Sequence, residues 1–163
     1  MRRWSAALGL VAACAQPVDG QPSPPSDAQY EVRFPSTAVA VATDTLEVMV
    51  FDATAAGADC LSLATARASG AQLPQSPVLL SDTGAMPICG ITSDPPAFQV
   101  ANGLRSFLAI AQRQGQDYFL GCTQTDLEPD AGPIDIWLAE VKIGTTVPAT
   151  TCMSLSQKCA GGC

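Results

Sequence analysis

Seven cysteines in 163 residues, in a chain that has no histidine, restrict this sequence more than any other feature. Such usage is heavy for a reducing cytosol and ordinary for an oxidising compartment, where thiols pair as disulfides. Cys14 lies near the start, Cys60, Cys89 and Cys122 in the middle, and Cys152, Cys159 and Cys163 at the end. Setting Cys14 aside leaves six, an even number that can close completely. The middle and end groups hold three each, so full internal pairing needs an odd number of bridges between them. The C-terminal stretch is therefore expected to be stapled back onto the body. Six cysteines allow 15 connectivities, and sequence alone does not choose among them. Cys60 with Cys122 is favoured because each lies near the end of an expected element; Cys89 is then left for the tail. Closing the first span contributes about 4 kcal/mol in the chain-entropy description, whose mechanism is disputed. A zinc site is the poorer reading, since Cys152-x6-Cys159-x3-Cys163 lacks the paired short spacings such sites use.

Cys14 has a context of its own. It follows Met1, Arg2-Arg3 and an apolar run over residues 4–13. Ten helical residues rise only about 15 Å, half the hydrocarbon core of a bilayer, so the run is too short to span one permanently. A positive start, a short apolar run and small residues at its end are the layout of an export signal. The four residues Val11-Ala12-Ala13-Cys14 resemble the lipobox of bacterial lipoproteins. In that family the thiol receives a diacylglycerol, the signal is cut before the cysteine, and the new amino group is acylated. The resemblance implies a lipid on Cys14, a signal over residues 1–13, and a membrane partner reached through that anchor. Two alternatives stay open: Ala13-Cys14-Ala15 also fits an ordinary signal cleavage after Ala15 that releases a soluble protein, and the run could be a buried element of a cytoplasmic protein.

Residues 14–29 carry four prolines and few apolar side chains, too little to offset ordering entropy, and read as a solvated, partly extended linker. In Gram-negative lipoproteins an Asp just after the lipidated cysteine favours the inner membrane. Ala15 stands there, which implies the outer membrane.

Residues 30–142 are enough for one domain with one core. Residues 30–34 alternate Tyr30, Val32 and Phe34 with Glu31 and Arg33, the period of a half-buried strand that Pro35 ends. Residues 45–51 are the strongest strand. Leu46, Val48 and Val50 point one way, Glu47, Met49 and Phe51 the other, and the two largely apolar faces predict a central position. Residues 59–67 are ambiguous between a short helix and a strand and are read as a helical turn, 78–80 as a short strand, and Thr92-Ser93-Asp94-Pro95-Pro96 as a loop. Short segments then follow at 97–100, 106–112, 118–122 and 134–142, separated by turn residues, a spacing that suggests a sandwich or barrel. The expected fold class is all-β, a single antiparallel β-sandwich. The order of these strands, with Cys60 in a loop and Cys122 at a strand end, resembles the transthyretin-like and immunoglobulin-like domains of bacterial surface lipoproteins over residues 30–142. A shared sandwich transfers no function. Residues 143–163, rich in Thr, Gly and Cys, lack the apolar content for a core and read as a disulfide-stapled tail.

Without histidine, Ser-His and Cys-His catalysis are excluded. A carboxylate mechanism needs two acids across a cleft, and Asp126, Glu128, Asp130 and Asp135 form the local acidic cluster. Ser154 or Ser156 with Lys158 could be drawn as a Ser/Lys pair, yet these read as solvated polar residues of the tail. Asp126-x-Glu128-x-Asp130 spaces oxygen ligands as calcium needs, but an EF-type loop requires Gly and a carboxylate where Ala131 and Trp137 stand, so a solvated turn is favoured. Removing residues 1–13 leaves six Lys/Arg against fifteen Asp/Glu. That acidity disfavours nucleic acid and anionic lipid surfaces. Trp137 and the two tyrosines are expected in the core. Taken together, these features lead to an exported, lipid-anchored, non-enzymatic accessory module of the envelope, structural or binding a protein or envelope polymer, with no cofactor and no metal. A carboxylate-based hydrolase of extracellular polymer and a soluble secreted binding domain are the alternatives.

Overall fold

A computed structural model describes residues 26–129, 131–142, 144–149 and 151–163. Cys14 with the rest of the lipobox, the signal over 1–13, residues 14–25 of the linker expected over 14–29, and Asp130 lie outside the described residues. The end of that expected linker is corrected: Ser26–Ala28 form a strand paired with Phe98–Val100, and Ala28 is buried. In chain order the elements are β1 (Ser26–Ala28), β2 (Tyr30–Arg33), α1 (Thr37–Ala42), β3 (Thr45–Asp52), α2 (Cys60–Ser69), β4 (Leu79–Asp82), β5 (Met86–Pro87), α3 (Ile88–Ser93), β6 (Phe98–Val100), β7 (Gly103–Arg113), β8 (Gln116–Leu127), β9 (Ile134–Trp137), β10 (Ala139–Glu140) and α4 (Leu155–Cys159).

The framework is a six-stranded sheet in the order β10-β8-β7-β3-β4, with β5 also pairing β3. All its pairings are antiparallel. The hairpin between β7 and β8 turns on Gln114 and Gly115, whose φ angles of 52° and 72° are what a two-residue loop matching the strand twist requires. β3 sits between β7 and β4, the central place its two apolar faces imply.

Period-two alternation divides the core into two layers. One face carries Leu46, Val48, Val50, Phe107, Ala109, Ala111 and Phe119 and is covered by α1, α3 and two small ribbons, β1–β6 and β2–β9. The opposite face carries Met49, Phe51, Leu108 and Ile110 and is covered by α2 through Leu63, which is fully buried. Helix α2 is bracketed by its own sequence. Asp59 caps its start, with Oδ1 accepting from the Ser62 amide at 3.0 Å, and Gly70 in the left-handed region (φ 73°) ends it.

The chain is therefore mostly β and disulfide-bonded, with antiparallel order in the main sheet. The expectation of an all-β single antiparallel sandwich is met in part: among the described residues there are also four helices, the strands form one large sheet with two small ribbons, and β2 pairs β9 in parallel. The period-two reading identified strands but not what covers them, and helices supply much of that cover. Residues 59–67 belong to a full ten-residue helix, and the loop expected at 92–96 begins as the end of α3.

The six described cysteines close three bonds. Cys60 joins Cys122, Cys89 joins Cys159, and Cys152 joins Cys163, with Cα separations of 5.4, 5.3 and 5.4 Å. The first ties α2 to β8 across the α2 layer. The second ties α4 to α3, so one bridge joins tail to body. The third closes the tail on itself. Lys158 adds a polar staple: its Nζ donates to the carbonyls of Val41 at 2.8 Å and Thr43 at 2.6 Å, at the end of α1. A cation at a helix C-terminus meets carbonyls with no partner inside the helix.

Candidate functional site

The β2–β9 ribbon presents an exposed face of alternating polar and aromatic side chains. Its parallel register sets Tyr30 beside Ile134, Glu31 beside Asp135, Val32 beside Ile136 and Arg33 beside Trp137. Alternation sends Tyr30, Val32, Ile134 and Ile136 inward onto the sheet and Glu31, Arg33, Asp135 and Trp137 outward. Trp137 is 67% exposed. The guanidinium beside it is held from two sides, Nη1 at 2.5 Å from Glu31 Oε1 and Nε at 2.9 Å from Asp135 Oδ1. The ribbon is fixed from beneath: Thr123 Oγ1 donates to the Asp135 carbonyl at 2.7 Å, and the Trp137 carbonyl rests on Gly121, where no Cβ could fit.

At the N-terminal end of the two parallel strands, two adjoining hollows of about 180 and 440 Å³ open beside Tyr30, Glu31, Thr92 and Pro95. Pro96 and Pro133 line the larger one. Tyr30 stacks on Phe98 with ring centroids 5.2 Å apart. Its hydroxyl is buried with no protein hydrogen-bond partner, and burial pushes the phenol up to about 12. It stays protonated at physiological pH.

A second polar group lies on the α2 face of the main sheet. Arg67 makes a two-point contact with Asp117, Nε to Oδ2 at 2.6 Å and Nη2 to Oδ1 at 2.9 Å, and Gln112 Nε2 donates to the same Oδ1 at 3.1 Å. Burial works to raise the Asp117 carboxyl, but the hydrogen bonds from Arg67 and Gln112 outweigh it and hold the group below its ordinary value. Glu47 goes the other way, raised by burial and by the neighbouring charges of Asp82 and Asp117 against the opposing pull of Arg67.

Among the described residues, those singled out for chemistry are not assembled into a site. Asp126 and Glu128 are exposed at the end of β8 and beyond it, and Asp135 is committed to Arg33. Ser154 caps α4 by accepting from the Gln157 amide at 3.1 Å, while Lys158 is bonded to the end of α1, so no Ser/Lys pair forms. Tyr30 and Tyr118 are buried as expected, whereas Trp137 is not in the core, which corrects that expectation. The signal was present in Ile134-Asp135-Ile136-Trp137: if the isoleucines face in, the indole faces out.

No protein-family model, curated protein or solved structure matches the chain.

Proposed function

We propose that this chain is an exported bacterial lipoprotein, anchored in the outer membrane through Cys14, whose disulfide-bonded domain serves as a non-enzymatic accessory module binding an envelope partner. The observation that carries the reading is the closure of Cys60, Cys89, Cys122, Cys152, Cys159 and Cys163 into three bonds. Such closure belongs to an oxidising compartment and uses every cysteine after Cys14. Cys14 is the one cysteine outside that set, and it ends an apolar run in the Val-Ala-Ala-Cys pattern. Binding is favoured over hydrolysis because, among the described residues, Asp135 is already an acceptor for Arg33, while Asp126 and Glu128 stand exposed at and just beyond the end of β8. In this reading the β1–β6 and β2–β9 ribbons act as a partial second layer over the main sheet, a sandwich-like arrangement that leaves the ribbon's outer face for a ligand.

Fractionation of cells producing the full chain tests the anchor. The wild type should sediment with membranes and resist salt extraction, and Cys14→Ser should lose that association. Recovery of the wild type in the soluble exported fraction supports cleavage after Ala15 and contradicts anchoring.

A further inference from the structure

We propose that the outer face of the β2–β9 ribbon binds a linear, uncharged polysaccharide, with Trp137 as the stacking platform and Glu31, Arg33 and Asp135 as the polar contacts to sugar hydroxyls. The proposal rests on the reading of the domain as a binding module and gives the partner a chemical class.

A tryptophan side chain can bury about 150–250 Å² on folding, so leaving it outside forgoes more apolar burial than any other residue type. Yet Trp137 is 67% exposed on a regular strand whose neighbour, Ile136, is completely buried. The strand is not loose there, because the Trp137 carbonyl sits on Gly121 and the Asp135 carbonyl is held by Thr123. The indole is thus a flat apolar platform on a fixed base. The electron-rich face of an aromatic ring suits the weakly positive C–H bonds that line one side of a pyranose.

Polar groups share the platform's face of the ribbon in a preset geometry. Arg33 is already oriented by Glu31 and Asp135, so little rotamer freedom remains to be lost when a ligand arrives. Guanidinium donors and carboxylate acceptors side by side match neighbouring hydroxyls, each of which can both donate and accept. One cation between two anions, on a chain of net charge −7, disfavours a polyanion. A polycation would have to displace Arg33 from its partners. An uncharged polyhydroxylated chain does neither.

Direction and length follow from the strands. The outward-facing pairs Arg33–Trp137 and Glu31–Asp135 are two residues apart along both strands, roughly 7 Å at parallel-strand spacing, a little more than one pyranose ring. At the far end Glu31 also borders the hollows beside Thr92 and Pro95. A linear polymer fits such a track better than a compact sugar.

The test uses the full chain carrying Trp4→Phe, which leaves Trp137 as its sole tryptophan. Titration with cellohexaose and with chitohexaose should change Trp137 emission saturably for at least one of them, with a dissociation constant of about 0.1–1 mM. By calorimetry, Trp137→Ala should lose binding at least about tenfold while Trp137→Tyr keeps most of it, with circular dichroism unchanged in both. The proposal is overturned if neither oligosaccharide perturbs the emission up to about 10 mM, or if Trp137→Ala binds as well as the parent. It is also overturned if Trp137 responds to phosphatidylglycerol vesicles and not to sugar, which makes this a membrane-facing surface. Fractionation reads the anchor separately: a chain that sediments with membranes but ignores both sugars loses the ligand class and keeps its envelope location.

Discussion

The backbone carbonyl of Trp137 packs directly over Gly121, so that a Cβ built on Gly121 collides with it. Gly121 pairs with Ala109 in the main sheet, and this small pair is where β9 crosses over β8. Gly121→Ala should therefore lift β9 and disturb the exposed face without touching any of its side chains. Overpacking of this kind costs typically about 1–3 kcal/mol. Urea denaturation should show a lower midpoint, and the parent emission spectrum of Trp137 should shift; an unchanged midpoint contradicts the contact.

The three disulfides should differ in what their removal costs. Cys60–Cys122 and Cys89–Cys159 join residues 62 and 70 apart, whereas Cys152 and Cys163 are only 11 apart. Loop-closure entropy then gives about 4 kcal/mol for each long bridge and about 3 kcal/mol for the short one. Paired Cys→Ser variants, compared by guanidinium denaturation, should follow that order. The Cys89/Cys159 variant should also expose the tail to proteolysis, since that is the disulfide that joins it to the body.

Two carboxyls on the α2 face should respond to pH with opposite sign. Asp117 is held below its ordinary value by Arg67 and Gln112. Its contribution is present above the unfolded value near 3.8 and is lost as pH falls through the lower folded value. Glu47 is raised, so between its unfolded value near 4.5 and its higher folded value the native state holds the extra proton, and stability falls as pH rises through that window. Glu47→Gln should accordingly stabilise the protein at pH 7, by less than about 1 kcal/mol for a half-exposed group. Asp117→Asn should destabilise it at pH 7 by about 1–2 kcal/mol because Arg67 loses its charged partner. Thermal melts from pH 3 to 8 check both; a loss of stability at pH 7 in Glu47→Gln contradicts the assignment.

Lys158 bonds to the Val41 and Thr43 carbonyls, across more than a hundred residues of chain. Lys158→Met keeps most of the aliphatic stem and removes the donors, and charged hydrogen bonds of this kind are worth about 1.5–3 kcal/mol. Faster amide exchange at the end of α1, with the Cys89–Cys159 bond intact, is the expected signature. Exchange unchanged there means that the disulfide alone positions the tail.

Parts of this structure were legible in the sequence for identifiable reasons. β3 declared its central position because Leu46, Val48 and Val50 on one face and Met49 and Phe51 on the other leave neither face for water. The odd cysteine count in body and tail required a bridge between them, and Cys89–Cys159 is that bridge. The helices were less visible. α1 reads Thr-Ala-Val-Ala-Val-Ala, whose alternation resembles a strand, and it is the Ser36 side chain, accepting from the Val39 amide at 3.3 Å, that starts a helix there. The parallel pairing of β2 with β9 joins segments a hundred residues apart, a relation that local periodicity does not encode. The exposed face depends on that pairing: Glu31 and Arg33 come from one end of the domain, Asp135 and Trp137 from the other, and no motif links them in sequence.

Export with anchoring at Cys14 is tested most directly by intact-mass spectrometry of the mature protein purified from membranes. The expected result is a chain beginning at Cys14, heavier than its sequence by a diacylglycerol and an amide-linked acyl group, with six of its cysteines in disulfides. An unmodified chain beginning at Gln16, or one that retains Met1 and free thiols, contradicts it.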